Sequence, residues 1–289
     1  MTSTPRYHVA LRPLVRFERY RTHLDELEKA NNAIMALLVG AQLSVNTLKM
    51  TLGSTARIPQ IFPNVEHITR INLTPGQATS ILASAETHLA MMAIPYVVAL
   101  HEDLTQSALQ LVHAAGLGSK KQTVGLKLAE MHNFFADQTS AFNPSTLALF
   151  SLIRRVRNCI IHDAGICDAA VRTYWEGLKD DDKKMWSSYV GSVAVFDPGK
   201  RIPLGHREII ITLFVVRRLA EDINVALQEL LPPLAWADIL IDDFISEHGK
   251  LPSNRDEWTR KIYGYGRHMG YTVSKEQVTE AIKRSKWAP

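Results

Sequence analysis

Apolar residues recur at intervals of three and four along most of this chain, and strict apolar–polar alternation is scarce. That period belongs to amphipathic helices, not to half-buried strands. A first long helix is expected from about Val15 to Leu52, with Gly40 a candidate break. Gly53, Pro59 and Pro63 mark "GSTARIPQIFPN" as a loop. In "INLTPGQ", Thr74 can cap a helix, and Pro75 suits its first position because that N–H has no intrahelical partner. The helix it opens is expected to reach about Ala115, with a kink at Pro95. A shorter helix, about Thr123 to Ala136, follows. "FNPSTLALF" repeats the start signal, with Asn143 as cap and Pro144 next. Its helix should stop near Gly165, which takes the left-handed conformation at little cost. Residues 176–204 read as irregular, with short helices and a small extended piece at Val193–Phe196. A long helix, about Arg207 to Leu230, ends at "LPPL", and Ala235–Glu247, Asn254–Met269 and Lys275–Lys286 read as a three-helix module. The pattern is all-α: a helical bundle over residues 1–231 with a basic N-terminal arm, then a small basic module over 232–289.

Composition narrows the class. With 289 residues and 46% hydrophobic content the chain can bury a substantial core. Two cysteines, Cys159 and Cys167, are too few for a disulfide framework, and a reduced thiol pair points to a cytoplasmic protein. Their spacing, with one histidine between, is a poor match to zinc ligation. No apolar run is long enough to span a bilayer, so no membrane association is expected. The net charge of +4 is unevenly spread. Residues 1–23 carry five arginines against one glutamate, and residues 246–289 carry nine Lys/Arg against five Asp/Glu. Both ends are basic around a mildly acidic middle. Such ends suit phosphate backbones, and they equally suit plain solubility.

The densest chemistry lies in "LFSLIRRVRNCIIHDAG", Leu149 to Gly165. At about 100° per residue, Arg155, Asn158 and His162 share one stripe of the helix, while Arg157 lies about 140° from His162. Ile153, Val156, Cys159 and Ile160 can pack. Histidine exchanges protons near neutral pH; arginine stays charged, grips phosphate and stabilises developing negative charge. Arginine, histidine and an amide with no carboxylate cluster suit phosphodiester cleavage without a metal or other cofactor. The same residues also suit an ordinary helix C-terminus, whose dipole favours cations.

"RNCIIHDAG" resembles the signature of the HEPN superfamily, R-x4-6-H with a polar residue after the arginine, matched by Arg157, Asn158 and His162. The context is similar too: a variable segment, then "GKRIPLGHREIIITLFVVRRLAEDINVAL" with a short G-x-x-I-x-L element and a long closing helix. The upstream "ILASAETHLAMMAIPYVVALHEDL" is also bundle-like, and the resemblance covers roughly residues 15–231. It implies a HEPN-like helical bundle that dimerises, with the motifs of two subunits facing across the dimer axis. It also implies a metal-independent endoribonuclease of toxin–antitoxin or antiviral-defence type, with RNA as substrate and an antitoxin or defence-system protein as partner. His162 would then serve as general acid or base, Arg157 as transition-state stabiliser and Asn158 as backbone or histidine holder. Arg155, with six residues before His162, is a supporting candidate. Relatives paired with small nucleotidyltransferases often carry a tyrosine two residues after the histidine. Ala164 stands there, so modification at that position is not expected.

Other candidates carry less. Glu102 or Asp103 in "ALHEDL" can supply a carboxylate near the cleft, or be surface polarity. His88, His101 and His113 read as scattered polar positions, "KDDDKK" as a solvated turn, and "FDPGKRIPLGH" lacks P-loop order. The C-terminal module interleaves Trp258, Tyr263, Tyr265, Tyr271 and Trp287 with Arg260, Lys261, Arg267, Lys283 and Arg284, a composition suited to nucleic-acid contact. Trp258 with Ile262, and Val278 with Ile282, share helical faces, so part of it is core. Two other readings stand beside the nuclease: a non-catalytic module binding RNA or protein, and a helical DNA-binding regulator using the C-terminal helices.

Overall fold

Helices carry nearly all the regular structure, and the fold is all-α. The structure is a computed structural model that describes residues 13–51, 55–118, 125–192, 195–249 and 255–285. The described helices are α1 (Glu18–Lys49), α2 (Ile58–Ile61), α3 (Pro75–Ala83), α4 (Ala85–Ala114), α5 (Leu128–Gln138) and α6 (Pro144–His162). They continue with α7 (Ala169–Glu176), α8 (Asp180–Val190), α9 (His206–Leu230), α10 (Pro233–His248), α11 (Arg255–His268) and α12 (Lys275–Arg284). Ile68–Arg70 forms a 3-10 turn, and among the described residues one β-bridge pairs Ile166 with Arg201 without forming a strand. The extended piece expected at Val193–Phe196 falls partly outside the described residues, and Val195 and Phe196 are not in a strand. Residues 1–12 of the basic arm also lie outside them, as do Lys286 and Trp287.

The expected break at Gly40 is absent, and a bend lies where none was expected. α1 runs through Gly40, where an added Cβ would meet nothing, so neither packing nor backbone geometry interrupts it. α4 runs through Pro95. A bend of 46° separates α3 from α4 at Ser84, eleven residues earlier. Ser84 donates its hydroxyl and its N–H to the Ile81 carbonyl, a local closure that competes with helix continuation. The starts behave as the capping logic requires. Thr74 accepts from the Gln77 N–H, and the Asn143 side-chain oxygen accepts from the N–H groups of Ser145 and Thr146 at 2.9 and 3.2 Å.

Contacts divide the chain into two compact units: residues 1–25, 100–147 and 217–289, and residues 26–99 with 148–216. The boundary expected between 231 and 232 does not separate units. "LPPL" ends a helix without ending a core. Trp236, Ile262 and Val278 of the last three helices join Phe17, Leu109, Phe135 and Ile223 in one apolar cluster. In this first unit the chain before α1 is clipped by polar groups. The buried Asn224 accepts from the Val15 N–H at 3.2 Å and donates to the Val15 carbonyl at 2.7 Å. Arg16 donates its N–H to Met269 at 2.7 Å. Gly270 has φ +81°, and a Cβ there would sit 2.8 Å from the Leu14 carbonyl oxygen, so glycine is required twice over. Asp243, 2% exposed, accepts from Arg21 at 2.9 and 3.1 Å, from Tyr271 at 2.7 Å and from Tyr265 at 3.2 Å. A buried carboxylate supplied with this many donors is satisfied rather than stranded.

The second unit has a small cluster of Leu48, Ile58, Ile68 and Ala78, and an aromatic trio of Trp175, Trp186 and Phe196 with ring centroids 5.6 to 6.5 Å apart. Leu149, Leu152, Ile153, Val156 and Cys159 give α6 its buried face here. Among the described residues, no single helix is long and apolar enough to cross a membrane.

Candidate functional site

The RNCIIH stretch forms the last turns of α6, which stays helical to His162. Its termination is local chemistry. Ala164 and Gly165 both take positive φ, 49° and 81°, and the Gly165 N–H returns to the Cys159 carbonyl at 2.9 Å. A Cβ on Gly165 would lie 3.3 Å from the Met91 methyl. The chain is then pinned to the "GKRIPL" element. Cys167 donates to Lys200, Gly199 to Cys167 and Ile202 to Gly165, at 2.8 to 2.9 Å, while Arg201 Nη1 donates to the Ala164 carbonyl at 3.1 Å. The short element after the variable segment therefore fixes the end of the histidine-bearing helix.

Within that helix the candidates have distinct surroundings. His162 is exposed at its last position, and among the described residues it has no hydrogen bond or ion pair. Arg157 is half-buried and donates from Nη1 to Asn158 Oδ1 at 3.2 Å, while its Nε is buried without a partner among the described residues. Asn158 thus orients Arg157. Arg155 is held elsewhere: its guanidinium lies 4.0 Å over the Tyr174 ring, and Nη1 donates to the Ser151 carbonyl at 3.1 Å. Arg154, which sequence reasoning did not single out, is half-buried. Burial, then the charges of Arg155 and Arg157, push its pKa down. Three arginines in four positions thus crowd positive charge onto about one turn, an arrangement an anion relieves.

Glu102 lies in the other compact unit, on α4, where it lines a small cleft of about 150 Å³ with Gln106 and Gln110. His101 is not a surface position. It is fully buried, with Nε2 2.8 Å from His132 Nε2 and its ring 6.3 Å from that of His23. His88 and His113 are exposed. A carboxylate pair was also missed beside Cys159. One ligand atom each from Cys159, Asp163 and Asp168 lie within 4.8 Å of one another, so a thiol and two carboxylates can approach a common cation. Asp168 Oδ1 is already engaged, accepting from the Val171 N–H at 2.7 Å, and burial raises the Cys159 thiol pKa, which opposes thiolate ligation.

The C-terminal cations are mostly matched by acids. Arg284 pairs with Asp238 at 3.1 Å, and Arg260 and Lys261 each approach Glu257 at 3.5 Å. Arg267 and Lys283 are exposed without an ion pair among the described residues. Trp258 and Tyr271 are buried, so their rings belong to the core and are not offered to bases. Tyr263 and Tyr265 are half-buried against the same core. Searches against protein-family models, curated proteins and solved structures find nothing that matches this chain.

Proposed function

We propose that this protein is a metal-independent endoribonuclease of HEPN type, acting as a dimeric toxin or antiviral-defence effector on RNA. The observation that carries the reading is the end of α6. There Arg157 is held by the Asn158 amide five residues before an exposed histidine, in a cluster of three arginines. In this reading His162 moves the proton of the 2′-hydroxyl or of the leaving oxygen, and Arg157 stabilises the charge that builds on phosphorus-bound oxygens. The products are a 2′,3′-cyclic phosphate and a 5′-hydroxyl. Because α6 remains helical to His162, Arg157 and His162 point to different sides of one helix, and a cleft built by two chains is the natural way to join them.

The test is cleavage of RNA in excess EDTA by the protein and its variants. His162→Ala should bind within a few-fold of the parent and cut about 100-fold more slowly or worse. Arg157→Lys should also be poor, since the planar fork is lost although the charge remains. Strict dependence on magnesium or manganese would overturn the mechanism and turn attention to Cys159, Asp163 and Asp168. Undiminished cutting by His162→Ala would remove it altogether. A second reading, a module that binds RNA or protein without cutting, is favoured by the buried Nε of Arg157 and by the engagement of Arg155 with Tyr174. A DNA-binding regulator using the C-terminal helices is the third, and it rests on Arg267 and Lys283.

A further inference from the structure

The second unit contains a cavity of about 260 Å³ whose wall is mostly apolar. Ile153 and Val156 of α6 form one side, with Trp186, Phe196, Leu204 and Glu208 among the others. Protein interiors are close-packed and seldom leave voids much larger than a water molecule, so a space of this size needs an explanation. Two polar groups give it one. Trp186 is 3% exposed, and its indole Nε1–H is buried with no acceptor among the described residues. A buried indole N–H normally finds a partner, because leaving it unmade costs the full desolvation of the group. Glu208 lines the same cavity; its Oε2 accepts from the Gly205 N–H at 2.8 Å, and burial raises its pKa above the usual carboxylate range. The Thr212 hydroxyl also lines the cavity but is already spent on the Glu208 carbonyl at 2.7 Å. The cavity therefore offers apolar contact and one carboxyl group, and its wall includes a tryptophan whose N–H has no acceptor among the described residues.

We propose that this cavity binds a compact aromatic alcohol, whose ring packs on the apolar wall, whose oxygen accepts from the Trp186 N–H and whose O–H donates to Glu208. Size sets the class. An apolar cavity of about 150 Å³ takes benzene, so this one holds roughly ten non-hydrogen atoms by proportion. Charge sets the head group. A carboxylic acid would place its anion in an apolar pocket beside Glu208, which is unfavourable, whereas a neutral hydroxyl satisfies both partners. A plain hydrocarbon would leave the indole N–H unpaired. The proposal does not rest on the ribonuclease reading, and the two fail independently, because the assay is binding and not cleavage.

The experiment is isothermal titration calorimetry of the full chain with 4-isopropylphenol and with isopropylbenzene, which differ only in the hydroxyl. 4-Isopropylphenol should bind about tenfold more tightly than isopropylbenzene, the usual scale for one or two well-made hydrogen bonds. Trp186→Phe and Glu208→Gln should each weaken the phenol alone and bring the two probes closer together. Ile153→Phe should abolish binding of both by filling the space, with helical content by circular dichroism as the folding control. Should that variant fail to fold, the two conservative variants still decide. No binding of either probe at millimolar concentration overturns the proposal. So does equal affinity for both probes, or a preference for the phenol that Trp186→Phe leaves unchanged.

Discussion

His23, His101 and His132 are buried together in the first unit, and their protonation has a cost that can be read out. Burial pulls the pKa of His23 down from 6.5 to about 4, while a backbone hydrogen bond at Leu100 and the Asp103 charge act weakly the other way. His101 is pushed down as well, by burial and then by its two histidine neighbours. The unfolded chain takes up a proton near pH 6.5 and the folded chain binds it at His23 only near pH 4. Stability is therefore intact above pH 6.5 and falls as the pH drops from 6.5 towards 4. The loss from His23 alone is on the order of 3 kcal/mol. Asp222 works against it: burial raises its pKa from 3.8 to about 6, so its contribution grows as pH falls through that range. Urea denaturation at pH 7 and pH 5 should show a clear drop for the parent and a smaller drop for His23→Asn, which has no ring to titrate. Equal drops would show that His23 does not carry the effect.

Capping residues and turn formers were the most legible features of the sequence, because they act on their own backbone. Thr74, Asn143 and Gly165 end or begin helices as their chemistry requires. What the sequence concealed depends on distant partners. Pro95 is the interruption marked on paper, yet α4 continues through it, and the 46° bend lies at Ser84, a position with no such signal. The candidate site was legible in its residue types, while its arrangement was not. Nothing local to Arg155 announces Tyr174, nineteen positions away, and nothing local to Cys159 announces Asp168 as a neighbour. The terminal helices show the same division. The alternation of aromatics and cations is visible in sequence, but the burial of Trp258 and Tyr271, and the pairing of Arg284 with Asp238, come from the fold. This sorts the cations by expected effect. If the protein binds single-stranded RNA through α11 and α12, replacing Arg267 and Lys283 by Gln should lower the log–log salt slope by up to about 1.4, roughly 0.7 per lost phosphate contact. Replacing Arg260 and Lys261 should lower it less, because Glu257 already offsets their charge. Filter binding across a range of salt concentrations measures both, and a larger effect from the paired residues would contradict the ranking.

At the scale of the molecule, the second unit leaves several large apolar side chains in solvent. Leu37, Val39 and Leu43 on α1 are 56 to 61% exposed, Met92 and Tyr96 on α4 are 64 and 48% exposed, and Ile161 beside His162 is 48% exposed. Apolar surface of this kind marks contact sites when it is gathered into a patch, and the ribonuclease reading needs a second chain to complete its cleft. Light scattering at micromolar concentration should therefore give twice the 32.4 kDa mass of one chain. Ile161→Glu should shift it towards a single mass, and a monomeric parent protein would count against the two-chain cleft.

The first unit is also stitched from both ends of the described chain, and this sets a timetable for its assembly. Val15 waits for Asn224, 209 positions later, and Phe17 waits for Trp236. At ordinary translation rates the first of these partners follows on the order of ten to forty seconds after Val15 is made. Leu109 and Phe135 of the same cluster are made earlier, but until that time Val15 lacks its Asn224 clip and Phe17 lacks the edge of Trp236. The nascent chain is thus a natural client for a holding chaperone, and a slowed ribosome would harm this unit more than one built from consecutive residues.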